Sequence, residues 1–355
     1  MDLQEIRKEL DKIDNSVLEL FNKRLELVEK VAEYKAKTKS AIYRPEREKE
    51  IIDRLKRINK EHNGKLSDEL IEALYTQIIS TFRNYEKREL IAFLGPEASF
   101  THQAAERKFG LTGSYVPIAT INGVFREVAT KRAKFGIVPI ENSTNGIVTD
   151  TINCLNNYNL NIVGEVVLDV HHVFATTAAN IKDIKKIYSK DIAFNQCSKF
   201  LEDFGFDNIE LIPVDSTAKA ASLAKEDNSA AAICAEVAAK MYNVPIMFRN
   251  IEDDDKNRTR FFVISDFENK QTSEDKTTVL AKLKNRPGAL VDFLLDFKEH
   301  NIDLTKIKSH IVGGNSVFFL EFNGHKNDTK IGEILKKYRD EIKFLGSYIK
   351  EADDV

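Results

Sequence analysis

The sequence predicts a multidomain chain: an all-α stretch, an α/β stretch and a small α+β module. Three observations predict it. Residues 1–89 carry apolar positions at helical spacing, with no Gly or Pro before Pro45. Between 90 and 267 short apolar runs alternate with helical ones. From 275 to 355 the pattern is strand, helix, two strands, helix, strand, a ferredoxin-like βαββαβ order. At 355 residues the chain is long for one core.

Bulk composition narrows the function classes. The hydrophobic fraction is 42% and the formal net charge −3, and no basic stripe with interleaved aromatics appears. No nucleic-acid partner is expected. The three cysteines, Cys154, Cys197 and Cys234, are far apart, which fits a reducing cytoplasm better than a disulfide framework. The opening "MDLQEIRKEL" has no apolar signal region, and no apolar run approaches ~18 residues. The expectation is a cytoplasmic protein with small-molecule or protein partners and no membrane attachment.

In the helical stretch, Leu3, Leu10, Val17 and Val31 fall on one heptad line, and Ile6, Ile13, Leu20 and Leu27 on the next. A helix over about 2–38 would be roughly 55 Å long, more than ~90 residues can cover alone. A second copy of the chain, in a homodimer or higher oligomer, is therefore expected. Pro45 marks the first turn of a second helix, and Ser67 caps a third. Cations interrupt the apolar seam. Arg24 stands on the first heptad line, with Arg7 and Lys35 on its flank. Arg47 and Glu48 share the inner face of the second helix, and Glu86 extends that of the third. Flank salt bridges of a coiled-coil dimer would explain some of these. The surplus of inward cations over acids points instead to a small polyanionic ligand.

In the α/β stretch, strands are expected near 91–94, 136–140, 162–167, 173–175, 187–189, 211–214, 231–234 and 261–264. Small polar residues cluster where helices should start: Ser99 and Thr101, then Glu141, Asn142, Ser143 and Thr144, then Asp215, Ser216 and Thr217. Each could be an ordinary cap. Together with Arg258-Thr259-Arg260, at the mouth of the apolar run "FFVI", they suggest a cleft that seats carboxylates and hydroxyls. The polar groups of Arg-Thr-Arg are expected to face that cleft. No dinucleotide or Walker motif is present, and no Cys/His spacing suggests a metal, so no cofactor is expected.

Residues 1–88, through Arg7, Arg24, Lys35, "RPEREKEIIDRL" and "IISTFRNYE", resemble the all-helical, intertwined chorismate mutases. The resemblance implies that Arg7, Arg24, Lys35, Arg47, Glu48 and Glu86 bind chorismate, with Arg7 entering from the partner chain. Arg44 replaces an acid common at that position, and Glu86 a glutamine. A Gln amide donates a hydrogen bond at any pH but Glu only when protonated, so mutase activity is expected to decline as pH rises. The segments "GPEASFTHQAA", "VPIENSTNGIV", "DSTAKAA" and "NRTRFFVI" resemble prephenate dehydratase over about 90–267. This implies a two-lobed fold like periplasmic binding proteins, with prephenate in the cleft. It also implies Thr259 at the leaving hydroxyl and Ser99, Thr101, Glu141, Asn142, Ser143, Gln196, Arg260 and Phe261 as cleft residues. Glu141 is a candidate proton source. The loop "YSKDIAFNQC" keeps Ser189 and Gln196 but departs from the family's His-Pro-Gln wording. Residues 276–350, with "NRPGALVDFLLDF", resemble the ACT regulatory domain, implying phenylalanine as effector near Gly288, Ala289, Leu290 and Val291. There Lys308-Ser309-His310-Ile311 replaces the family's second signature.

The expected whole is a bifunctional chorismate mutase/prephenate dehydratase, with domains at 1–89, 90–267 and 275–355. Two other readings stay open. One is a dehydratase whose helical domain mainly dimerises; the other is a non-catalytic sensor of aromatic acids.

Overall fold

The computed structural model describes residues 2–38, 43–206, 209–284, 286–312 and 315–351. Asn285 of the motif turn, and Gly313 and Gly314 of an expected hairpin, lie outside the described residues. The chain forms two compact units, Met1–Glu89 with Phe109–Gly113 and Leu90–Lys108 with Ser114–Val355.

The first unit contains α1 (Leu3–Thr38), α2 (Pro45–Glu61) and α3 (Asp68–Glu86). Pro45 opens α2, where its missing N–H would have had no helical partner. Ser67 caps α3 by accepting from the backbone N–H of Leu70 at 3.2 Å. The heptad face of α1 is not covered by its own chain. Leu3, Leu10, Leu20 and Leu27 are 62%, 53%, 62% and 61% exposed.

The second unit starts as an α/β lobe: β1 (Leu90–Leu94), α4 (Phe100–Phe109), β2 (Ser114–Ile118), α5 (Ile121–Ala129), β3 (Phe135–Asn142), β4 (Gly146–Ile147), α6 (Thr149–Asn157) and β5 (Asn161–Asp169). The chain then crosses to another lobe: β6 (Val173–Thr176), β7 (Lys186–Ser189), α7 (Asp191–Gln196), α8 (Ser198–Asp203), β8 (Glu210–Pro213), α9 (Thr217–Glu226), β9 (Ala230–Cys234), α10 (Glu236–Met241) and β10 (Ile246–Arg249). It returns as β11 (Arg258–Ser265), which inserts between β3 and β5, antiparallel to both. The first lobe's sheet therefore runs β2-β1-β3-β11-β5, with β4 beside β3, and the second runs β10-β6-β9-β7-β8. Three strands are not among those expected from the sequence: β2 and β10 lie at sheet edges, and the two-residue β4 pairs with β3 off the main path. Pro117 lies within β2, a position an edge strand tolerates.

The chain ends in β12 (Asp275–Ala281), α11 (Ala289–Glu299), β13 (Leu304–Val312), β14 (Asn315–Asn323), α12 (Thr329–Lys337) and β15 (Ile342–Ile349). Their antiparallel sheet has the order β13-β14-β12-β15. One face packs on the first lobe's sheet. The Phe262 ring lies 6.3 Å from Phe319 and 6.1 Å from Tyr348, in a core shared with Leu280, Val317 and Leu345. The backbones also approach closely. A β-carbon on Gly346 would sit 2.2 Å from the Ile162 carbonyl oxygen, so only glycine fits there.

Candidate active sites

The sequence grouped Glu141–Thr144 with the helix starts. The structure corrects this: Glu141 and Asn142 are the last residues of β3, and α6 starts only at Thr149. The signal came from an Asn-centred turn. The Asn142 side-chain oxygen accepts from the backbone N–H groups of Thr144 and Asn145, both at 3.1 Å. Such local bonds serve turns as well as caps.

That turn fixes the chemistry of the site. With its oxygen taken by N–H donors, the other end of the Asn142 amide must be NH2. The nitrogen lies 2.9 Å from Thr259 Oγ1, 2.8 Å from Asn257 Oδ1 and 3.0 Å from the Arg258 carbonyl. Thr259 Oγ1 is thus an acceptor from Asn142, and its own proton remains to be donated elsewhere. Ser143 Oγ accepts from the backbone N–H of Arg258 at 2.9 Å, which ties the start of β11 to the same turn. Asn257 is a further residue of this cluster, beyond those the sequence singles out. It is 2% exposed, its oxygen accepts from Asn142, and its Nδ2 has no hydrogen-bond partner. Its signal was present, since it lies two residues before Thr259 in "NRTRFFVI".

Strand alternation separates Thr259 from Arg260. Thr259 is half-buried, whereas Arg260 is 0% exposed and its guanidinium faces the C-terminal sheet. It donates to Glu321 at 2.8 Å, to Glu165 at 3.2 Å and to Glu141 at 3.3 Å. Burial works against the Arg260 charge, but the carboxylates of Glu321 and Glu165 outweigh it and raise its pKa. Lys276 joins at 2.9 Å from Glu165, and Lys306 pairs with Glu141. Burial lowers the Lys276 pKa, yet Glu165 and Glu321 leave it raised. The structure thus gives Glu141 two cationic partners away from Thr259. Phe261 is 1% exposed and belongs to the core.

The remaining expected cleft residues are Ser99, Thr101 and Gln196. Ser99 caps α4, accepting from the backbone N–H of His102 at 3.3 Å, and Thr101 is buried in its first turn. Gln196 ends α7, and its Oε1 lies 3.0 Å from His172 Nε2. The His172 backbone N–H in turn donates to the Glu252 carboxylate at 2.8 Å. Burial holds the His172 imidazole below its usual pKa, with the Gln196 hydrogen bond opposing.

In the helical unit, Lys35 Nζ lies 3.1 Å from both oxygens of Glu86, across α1 and α3. Arg24 stacks 4.2 Å over the Phe82 ring, one turn before Glu86. Arg24 Nη1 is buried with no hydrogen-bond partner, and burial lowers its pKa, with Tyr75 opposing. Arg24, Lys35 and Glu86 therefore form one neighbourhood. Arg7 and Arg47 do not join it within one chain; both are exposed, and Arg47 pairs with Glu50 at 2.7 Å. Glu48 pairs with Arg83, a buried cation that also stacks 5.0 Å over Tyr43. Arg83 went unread although it follows Ile79 by four residues, on the same buried helix face.

A family model of chorismate mutase type II matches residues 6–87, and one of prephenate dehydratase matches residues 91–269. A bifunctional chorismate mutase/prephenate dehydratase of Aquifex aeolicus is 40% identical, over 98% of each chain. The chain belongs to the bifunctional chorismate mutase/prephenate dehydratases. These enzymes convert chorismate to prephenate and prephenate to phenylpyruvate. The bifunctional enzyme of Pseudomonas aeruginosa is 36% identical, again over 98% of each chain. Among solved structures, the prephenate dehydratase of Arthrobacter aurescens in complex with L-Phe is 29% identical. It has a TM-score of 0.68, covering 74% of this chain and 90% of that one. The Asn142–Thr259 pair thus lies in the dehydratase part of a bifunctional enzyme, and Lys35, Glu86 and Arg24 in its mutase part.

Proposed function

We propose that the hydrogen bond from Asn142 to Thr259, 2.9 Å long, is the working element of the dehydratase site. By accepting from the amide, Thr259 Oγ1 becomes a better donor towards the ring hydroxyl of prephenate. The ring C–C bond to the carboxylate breaks as carbon dioxide leaves, and its electron pair aromatises the ring. The C–O bond breaks with it, and the hydroxyl departs as water, taking the Thr259 proton, which a proton from solvent replaces. Preorganised donors aimed at the leaving oxygen are the main catalytic demand here. Ser143 and Asn257 hold the turn. Ser99, Thr101 and Gln196 are proposed to line the cleft between the lobes. Glu141, which the sequence suggests as proton source, is instead committed to Arg260 and Lys306 and transfers no proton in this mechanism.

For the mutase, the chemistry is a pericyclic rearrangement that needs no proton transfer. The site must hold two carboxylates and stabilise charge on the ether oxygen. Arg24 and Lys35 supply cations from one chain. Arg7 is proposed to come from a second copy packed on the bare face of α1, with Arg47 and Glu48 completing the site. The C-terminal module, residues 275–355, is proposed to be an ACT domain that binds phenylalanine at Gly288–Val291. Gly288 has φ 81 and open space where a β-carbon would be. A cavity of about 510 Å³ beside it is lined by Ala289, Arg286, Leu295 and Tyr338 among others. The L-Phe bound by the Arthrobacter aurescens protein supports this reading. A cytoplasmic location is proposed on the three free, buried cysteines.

The test is to supply purified protein with chorismate and follow prephenate and phenylpyruvate separately, with and without phenylalanine. The native chain should form phenylpyruvate, less with phenylalanine present. Thr259→Ala should accumulate prephenate; a near-native dehydratase rate in that folded variant would sink the assignment. If the helical domain mainly dimerises, chorismate would be consumed little faster than without the protein, while added prephenate would still give phenylpyruvate.

A further inference from the structure

The ion network behind β11 has an ordered composition. The first lobe contributes Glu141 from β3, Glu165 from β5 and Arg260 from β11; the C-terminal sheet contributes Lys276 from β12, Lys306 from β13 and Glu321 from β14. The formal charges cancel, and five of the six side chains are at most 8% exposed, with Lys306 at 13%. Burying so many charges is no route to stability, since apolar residues of similar size would serve as well or better. What they supply is directionality.

The placement of that directionality is specific. Arg260 directly follows Thr259, and Glu141 directly precedes Asn142. Thr259 and Asn142 are register partners across β11 and β3, as are Arg260 and Glu141, with a register shift immediately after them. Each half of the Asn142–Thr259 pair is therefore tied, at the adjacent residue, to a charge from the C-terminal sheet. Glu321 holds Arg260, and Lys306 holds Glu141.

We propose that Lys306 and Glu321, from the C-terminal module, are positioning residues for the dehydratase reaction, setting the Asn142–Thr259 geometry from behind the catalytic sheet. The inference rests on the reading that this pair serves the leaving hydroxyl. The module is then part of the dehydratase site's support.

The experiment uses the full chain with Lys306→Met, Lys306→Gln and Lys306→Arg. The control is Lys343→Met, which removes another contact between the C-terminal sheet and the first lobe: Lys343 donates to the carbonyls of Asn156 and Tyr158 at the end of α6, at 2.8 and 2.7 Å. Because small misplacements of reacting groups cost up to about a hundredfold, the neutral Lys306 variants should lose dehydratase kcat by about tenfold or more. KM for prephenate should change less than twofold. Lys306→Arg should recover most of the rate, and mutase kcat should stay at the native value throughout. Lys343→Met should lower Tm as much as Lys306→Met while keeping dehydratase kcat. If K306M does not fold, K306Q gives the same comparison. Unchanged kcat in the neutral variants, or an equal loss in Lys343→Met, overturns the inference. Thr259→Ala retaining dehydratase activity would remove the underlying reading instead.

Discussion

A threonine hydroxyl is a weak acid, so its usefulness depends on what its oxygen accepts. Thr259 accepts from an amide whose orientation is dictated by backbone donors on its far side. Asn142→Ala should remove the polarising donor and leave Thr259 free to rotate. From the size of single-donor losses in preorganised sites, dehydratase kcat should fall by about a hundredfold, with mutase kcat as internal control. Asn142→Asp should fall at least as far, because a carboxylate facing Thr259 would take its proton as an acceptor. Steady-state assays of both reactions on each variant check this. Thr259 was legible in the sequence from its motif, but the direction of its neighbours was not read. The two-residue period of a strand requires Thr259 and Arg260 to face opposite ways, and that rule overrides the idea that a polar triplet faces one cleft. Glu48 is the counterpart in the helical unit. Its helix face was legible, yet its partner Arg83 lies on another helix, and no local pattern names a partner across space.

At the scale of elements, helices and central strands were legible because their apolar periods are long. The edge strands β2 and β10 are not: they are short, Pro117 lies within one and Pro245 precedes the other, and two residues of each are exposed. The turn after β3 was misread as a helix start because both use Asn, Ser and Thr to satisfy backbone N–H groups. The most demanding element is α1. It carries 36 residues with its apolar line open to solvent, a pattern a stable helix shows only when another surface covers it. Replacing both Leu10 and Leu20 with Glu should leave a monomer by sedimentation, where the proposed oligomer of the native chain sediments faster. Mutase activity should drop sharply, since the proposed site needs a second α1. A variant that stays dimeric and active would remove α1 from the interface.

At the scale of the molecule, two adjacent chain crossings join the lobes. The Val170 N–H donates to the Asn257 carbonyl at 2.8 Å, and the Ile251 N–H to the His172 carbonyl at 3.2 Å. His172, 2% exposed, sits in the first crossing, with Glu252 from the second and His171 beside it. Burial lowers its pKa from 6.5, although Gln196 and Glu252 pull the other way. In the unfolded chain His172 takes up a proton that the folded chain refuses. Its contribution to stability is therefore complete above about pH 6.5 and lost as pH falls through that value. Thermal unfolding midpoints should fall between about pH 7.5 and 5.5, and His172→Asn should flatten part of that fall.

The same crossings have a topological consequence. β5 and β11 are neighbours in one sheet, and Arg258 pairs with Asp169 at 2.9 Å where the chain departs and returns. Everything between them, residues 170–257, is an insertion into a hairpin. Its two ends meet as closely as those of a tight turn, and its β-sheet shares no strand with the host. A short loop could bridge Asp169 to Arg258 and leave the host sheet's strand order intact. The excised segment would carry its aromatic core with it, and its alanine-rich core apart from Ala98 of the host lobe.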